Sequence, residues 1–208
     1  MIPRTLFTPE HEIFRESVRR FIAEEILPHH AAWERAGIVP REAWLKAGAA
    51  GLLCTGVPEE SGGAGGDFLY GAIIVEEMAR AGATGPTFYL QSEIIAPYLV
   101  HYGTEEQKRR WLPPMARGEV IAALGMSEPS GGSDIAGMRT TAIRDGDEYV
   151  VNGQKVFITA GHNADLLVLA CKTDSKAGAR GISLLLVETD RPGFVRGRKL
   201  EKIGCKAQ

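Results

Sequence analysis

Cysteine is scarce in this chain of 208 residues: Cys54, Cys171 and Cys205 are the three present, far apart and odd in number. None belongs to a C-x-x-C pair or stands at Cys/His spacing, which argues against a disulfide framework and against a zinc site. They are expected to be reduced thiols, packed as small hydrophobes in a cytoplasmic protein. No apolar run approaches the ~20 residues that span a bilayer, and the opening Met1-Ile-Pro-Arg-Thr5 lacks the apolar segment of a secretory leader. An excess of one charge is missing too. Lys plus Arg is 24 and Asp plus Glu is 26, a net charge of −2, so nothing in the balance points to nucleic acid or an anionic membrane. The run Lys108-Arg109-Arg110 reads as the solvated face of a helix. Internal repeats and low-complexity linkers are also lacking.

What is present is ordinary for a folded chain. Hydrophobic residues make up 44%, enough for one large domain or two small ones with a real core. The first half reads as helices. Thr8 can cap one that has Pro9 in its first turn and Glu10 and Glu12 near its positive end. Phe14, Val18, Phe21, Ile22 and Ile26 share a face at helical spacing, and Pro28 is expected to end the helix. Further helices are predicted over 41–50, 68–81 and 87–102, the last bent near Pro97 and stopped at Gly103. Thr104-Glu-Glu-Gln107 is a capping box that opens another, running to about Arg117. The glycine-rich stretch from Val57 to Asp67 lacks the Lys-Ser/Thr ending of a phosphate loop and reads as a connection between helices. Glu76 and Glu77 are adjacent on a helix, point in different directions, and read as structural rather than as an acid–base pair.

After Gly118 the pattern turns to alternation and β-branched residues. Asp145-Gly146 and Asn152-Gly153 are type I′ hairpin signals, with a strand at Tyr149-Val150-Val151 between them and 156–158 after the second. The apolar runs 166–170 and 182–187 suit buried strands. The fold class expected is α+β: an amino-terminal all-α helical domain over 1–119, then an antiparallel β-barrel-like domain over 120–208.

The chain is organised around Leu124-Gly-Met-Ser-Glu-Pro-Ser-Gly-Gly-Ser-Asp134. Gly131 and Gly132 keep the backbone free of bulk, and Ser127, Ser130 and Ser133 surround it with hydroxyls, so backbone N–H groups can approach a flat or phosphorylated ligand. From composition alone an ordinary polar turn is the simpler account. A second block, Val150-Val-Asn-Gly-Gln-Lys-Val-Phe-Ile-Thr-Ala-Gly161, changes the balance. The order S-E-P-x-x-G-S-D, then V-N-G-x-K-x-F-I-T, closely resembles the flavin-binding core of the acyl-CoA dehydrogenase family. The loop V-P-E-x-x-G-G-x-G beginning at Val57 and the helix opened by Thr104 resemble the family's amino-terminal domain. The resemblance covers essentially the whole chain and about the first half of a typical member.

That resemblance implies FAD as cofactor, an acyl-CoA substrate, an electron-transfer flavoprotein as partner and a homo-oligomer. It implies α,β-dehydrogenation: a carboxylate removes the α proton, the β hydrogen leaves as hydride, and the thioester carbonyl is polarised by hydrogen-bond donors. Position by position, it assigns Leu124, Gly125, Met126 and Ser127 to the flavin ring, with Ser127 donating to its polar edge. Gly132 and Ser133 approach the pyrophosphate, and Ser133 also lies near the thioester. Phe157, Ile158 and Thr159 form the second wall. Departures are modest: many relatives carry an aromatic at position 124, Thr at 127 and Trp at 157.

Plainer readings stand beside these. Phe157 and Ile158 would be core residues in any β domain, Asp134 would cap a turn, and His162 belongs to the surface. Glu128 is not assigned as the base, because the family's base comes from a carboxy-terminal helical domain beyond Gln208. The competing function is a non-catalytic piece that binds flavin or an acyl thioester weakly, or serves as an interaction module. A relative with other flavin chemistry, such as an oxidase, is a third.

Overall fold

The computed structural model describes residues 5–208; Met1 to Arg4, on which part of the leader reading rests, lie outside them. The chain divides after Ile121 into two compact units. Ala122–Arg196 form the second, and Gly197–Gln208 group with the helical first unit. The sequence placed that last segment with the β region. Its anchors are polar: Lys199 Nζ donates to Ala36 O at 3.0 Å and Gln208 Nε2 to Thr84 O at 2.7 Å.

In the helical unit, α1 (Pro9–Phe21) starts as the sequence indicates. The Thr8 hydroxyl accepts from His11 N–H, and the His11 ring accepts from Thr8 N–H, a reciprocal cap. Val18, Ile22 and Ile26 from the expected face are buried. The helix does not end at Pro28. A π turn, Ile22–Ile26, leads directly into α2 (Leu27–Ala36), with Leu27 N–H bonding back to Ile22 O. The change of hydrogen-bond register leaves Pro28 in the first turn of the next α segment, where a missing N–H costs little. The same device recurs before α5 (Ala96–Tyr102): a π turn at Leu90–Ile95 precedes Pro97, which accounts for the predicted irregularity. Between these lie α3 (Arg41–Ala49) and α4 (Phe68–Arg80), and α6 (Glu105–Ala116) follows with the full capping box at Thr104 and Gln107. The core centres on Trp44, packed edge-on to Phe88 at 5.0 Å, with Ile26, Ile73, Ile95, Leu112 and Met115.

Glu76 and Glu77 are structural, and they do converge, on a cation rather than a proton. Arg15 Nη1 donates to Glu76 Oε2 at 2.7 Å and to Glu77 Oε1 at 2.8 Å. Their side chains are long enough to curl around one guanidinium that α1 presents.

The second unit is a five-stranded sheet: β1 (Ala122–Gly125), β2 (Thr141–Asp145), β3 (Glu148–Asn152), β4 (Leu166–Lys172) and β5 (Ile182–Glu188). It is mixed, not antiparallel. β5 runs antiparallel to β4 along its whole length, from Leu166↔Glu188 to Lys172↔Ile182. The other edge of β4 pairs in parallel with β1, from Ala122↔Leu166 to Gly125↔Leu169, and then with β2 at Thr141↔Lys172. Forty residues of loop and hairpin separate β1 from β4, which is ample to return the chain in the same direction without a crossover helix. β4 is buried from Leu166 to Cys171, as its unbroken apolar run requires, whereas β5 is mostly half-buried.

Two turn assignments shift. Asp145 pairs with Glu148, so Gly146 and Asp147 are the two loop residues, with φ positive at Gly146 only. That is the glycine-first pattern rather than the one requiring both residues left-handed. No hairpin forms at Asn152-Gly153. β3 ends at Asn152 and the chain runs on irregularly. Gly153 is needed for closeness instead: a Cβ there would stand 2.3 Å from Thr140 Oγ1. Of the thiols, Cys54 and Cys171 are buried and free, but Cys205 is exposed. Among the described residues no helix is long and apolar enough to cross a membrane, and no group of three or more His, Cys, Asp or Glu could hold a metal.

Candidate functional site

β1 delivers the first block. Ala123 faces the sheet core with Ala142, Ala164, Leu167, Leu169 and Cys171. Leu124 is half-buried, Gly125 buried, and Met126 and Ser127 half-buried where the strand opens into the loop. The chain then turns tightly at Pro129-Ser130, closed by Glu128 N–H to Gly131 O at 3.1 Å and Gly131 N–H to Glu128 O at 3.0 Å. Gly132 and Ser133 come next, both exposed. A Cβ at Gly132 would lie 3.7 Å from Ser127 Oγ, so the serine hydroxyl sits against that bare stretch of backbone. Asp134 caps the short turn Ile135–Gly137, accepting from Gly137 N–H at 2.9 Å.

The second block meets the first directly. Val156 N–H donates to Ser127 O at 2.9 Å. Lys155 Nζ donates to Met126 O at 3.0 Å and to Glu128 Oε1 at 2.8 Å, with both charged side chains almost fully buried. The Glu128 carboxylate also accepts from the N–H groups of Arg139, at 2.6 Å, and Thr140, at 2.9 Å. Burial alone would raise its pKa; Lys155 and the backbone donors outweigh that and hold it down at about 2. A carboxylate so satisfied is a poor proton acceptor.

Two residues beyond Lys155, Phe157 is 78% exposed and has φ +58°. A bulky side chain in the left-handed region is strained, and such strain persists where surrounding structure imposes it. Phe157 is therefore not the core residue that a plain β reading made it. Ile158 does pack against the sheet core. Thr159 and His162 are half-buried, and Ala160, also left-handed, is buried.

Groups suited to a flavin nucleotide remain available. Among the described residues the hydroxyls of Ser127, Ser133 and Thr159 have no hydrogen-bond partner, nor do the N–H groups of Gly132 and Ser133. Adjacent free N–H groups on bare backbone suit a phosphate. An exposed aromatic beside free hydroxyls suits a flat ring with a polar edge.

Family models for "Acyl-CoA dehydrogenase, N-terminal domain" and "Acyl-CoA dehydrogenase, middle domain" match residues 8–119 and 123–208. The chain belongs to the acyl-CoA dehydrogenase family. It is 51% identical over 207 residues to the mitochondrial long-chain specific acyl-CoA dehydrogenase of Sus scrofa, covering 99% of this chain and 48% of that protein. The crystal structure of acyl-CoA dehydrogenase from Geobacillus kaustophilus superposes with a TM-score of 0.95 at 50% identity, over 99% of this chain and 55% of that one. A glutaryl-CoA dehydrogenase from Mycobacterium smegmatis, solved in complex with FADH2, gives a TM-score of 0.88 at 31% identity, over 97% and 51%. The chain thus spans about half the length of the curated relatives it matches.

Glu128 and Lys155 join the two blocks, and sequence reasoning left both without a role. A signal was present. Lys155 is the single charged residue between Asn152 and Gly161, and Glu128 is the single one between Leu124 and Ser133, with opposite sign.

Proposed function

We propose that this chain carries the helical and flavin-facing portions of an FAD-dependent acyl-CoA dehydrogenase. The whole protein converts an acyl-CoA thioester to the trans-2-enoyl thioester and passes electrons to an electron-transfer flavoprotein, as a cytoplasmic homo-oligomer. The observation supporting this most directly is that the two blocks join backbone to backbone, at Val156 and Ser127, with free hydroxyls on both sides of the junction. A bound flavin would supply the acceptor for the hydride that leaves the β carbon. The chain's own residues hold and orient it. Ser127 would donate to its polar edge and Thr159 would hydrogen-bond the ring near N5; Leu124, Gly125, Met126, Phe157 and Ile158 would supply apolar surface; Gly132 and Ser133 would offer N–H groups to the pyrophosphate. Ser133 also faces the thioester.

Titration with FAD, followed by flavin fluorescence, tests the assignment. Ser127→Ala and Thr159→Ala should each weaken binding about fivefold, the worth of roughly 1 kcal/mol for one hydrogen bond. Unchanged affinity in both variants would remove the two hydroxyls from the site.

The α proton is taken by a base that the family carries in its carboxy-terminal domain, not by Glu128. A positioned base contributes roughly 10²–10⁴-fold. Anaerobic addition of butyryl-, octanoyl- or palmitoyl-CoA to the FAD-loaded 208-residue polypeptide should therefore leave the flavin absorbance in place. Rapid bleaching by any of the three would locate the base within these residues and return Glu128 to consideration.

A further inference from the structure

We infer that the buried Glu128–Lys155 pair is a positioning device that sets the spacing between the two flavin-facing stretches of backbone. The inference rests on the flavin-site reading above and names the residues that hold that site in register. Lys155 reaches across from the second block to the first, and its ammonium is shared between a backbone carbonyl, Met126 O, and the Glu128 carboxylate. Its aliphatic stem lies against the one glycine of β1: a Cβ on Gly125 would stand 3.4 Å from Lys155 Cγ. Glu128 in turn gathers the loop, binding the N–H groups of Arg139 and Thr140 eleven and twelve residues on. Ser127 therefore lies between the two residues that Lys155 contacts, Met126 and Glu128, and itself accepts from Val156 N–H. Immediately after Lys155 and Val156 comes Phe157, held left-handed and exposed.

An ion pair in this position has a cost that a hydrophobic contact would not. Burying both charges requires desolvation that their attraction barely repays, so such a pair is weak evidence for a role in stability. What it supplies is directional geometry. Ammonium and carboxylate hydrogen bonds fix the spacing of the loop after Gly125 and the run after Asn152, which no strand pairing fixes, and tie both to Thr140, whose carbonyl accepts from Lys172 N–H on β4 at 2.8 Å. Neither residue needs to touch the ring: both are positioning residues and act through Ser127, Phe157 and Thr159.

The test is FAD titration of wild type, Lys155→Met and Leu166→Ala. Binding is read by fluorescence, the environment of bound flavin by its visible circular dichroism, and stability by thermal melting without FAD. Leu166 is fully buried on β4 opposite Ala122, outside the residues of both blocks, and its truncation supplies a loss of stability that leaves the Glu128–Lys155 pair intact. Lys155→Met should weaken FAD binding roughly tenfold to a hundredfold, the range of one charge-assisted hydrogen bond, and alter the dichroism of the flavin that still binds. Leu166→Ala should lower the melting temperature and leave both flavin readouts near wild type. Three outcomes overturn the inference. Wild-type affinity and dichroism in Lys155→Met would overturn it alone. Equal flavin effects in Leu166→Ala would reduce the pair to a stabilising contact. Failure of the wild type to bind FAD would remove the flavin reading itself, and this inference with it.

Discussion

Glu128→Ala is expected to destabilise the sheet unit by about 3–5 kcal/mol, the range for removing one partner of a buried charge pair. The residue is 6% exposed, and its carboxylate serves Lys155 Nζ and the N–H groups of Arg139 and Thr140. Alanine leaves the ammonium buried with Met126 O alone and strands the Thr140 N–H in a buried site. The pH dependence carries the same information. The Glu128 pKa is lowered from 4.5 to about 2, so its contribution is fully present above the unfolded value. It is lost as pH falls through that window toward 2, and amounts to about 3 kcal/mol at one pKa unit per 1.36 kcal/mol. Urea midpoints of wild type and Glu128→Gln measured from pH 6 down to pH 2 check the sign. The gap between them should narrow on acidification. A gap that stays constant across that range would mean the carboxylate is not held ionised in the folded protein.

The features that make Glu128 matter show which parts of the structure can be read from sequence. Local chemistry was legible. Thr8, Thr104 and Asp134 cap the turns their side chains can reach, because a cap involves residues two or three apart and little else. The change from helix to sheet was legible in the change of hydrophobic period. Register was not. Pro28 looks like a helix stop, and only the π turn before it lets the helix continue. Gly153 looks like a turn residue, and only the approach of Thr140 explains it. The parallel pairing of β1 with β4 depends on contacts such as Ala122↔Leu166, across the whole intervening loop and hairpin, which no local pattern encodes.

The candidate site divides in the same way. Motif order pointed to the residues that would face a flavin, since they lie in two short blocks. The bond between the blocks is tertiary, so Lys155 stood in the quoted motif without a role. The strain at Phe157 was invisible for the same reason: an aromatic in an apolar run reads as core until the backbone shows it left-handed and exposed.

Glu77→Leu is the second change expected to have a large effect, this time within the helical unit. Glu77 lies on α4 and is 4% exposed. Its Oε1 accepts from Arg15 Nη1 at 2.8 Å and from Arg19 Nη2 at 3.1 Å, and its Oε2 accepts from Arg19 Nε at 2.9 Å. Burial opposes its ionisation, yet the two guanidinium groups hold its pKa below the usual carboxylate range. Leucine removes the carboxylate and leaves Arg15, whose side chain is 5% exposed, to Glu76 and Glu12. Because Glu76 remains 2.7 Å away, the loss should lie at the lower end of the usual range for a broken buried pair, about 3 kcal/mol. A double-mutant cycle separates the charge from the packing. Arg15→Met with Glu77→Leu replaces both buried groups by apolar ones, so the pair should be less damaging than the sum of the singles by more than about 1 kcal/mol. Acid should act with the same sign as at Glu128: the contribution of Glu77 is present above its unfolded pKa and fades as pH falls through the lowered folded one. Strict additivity in the cycle, or a wild-type advantage over Glu77→Leu that grows on acidification, would show that α1 and α4 are held by their apolar faces alone.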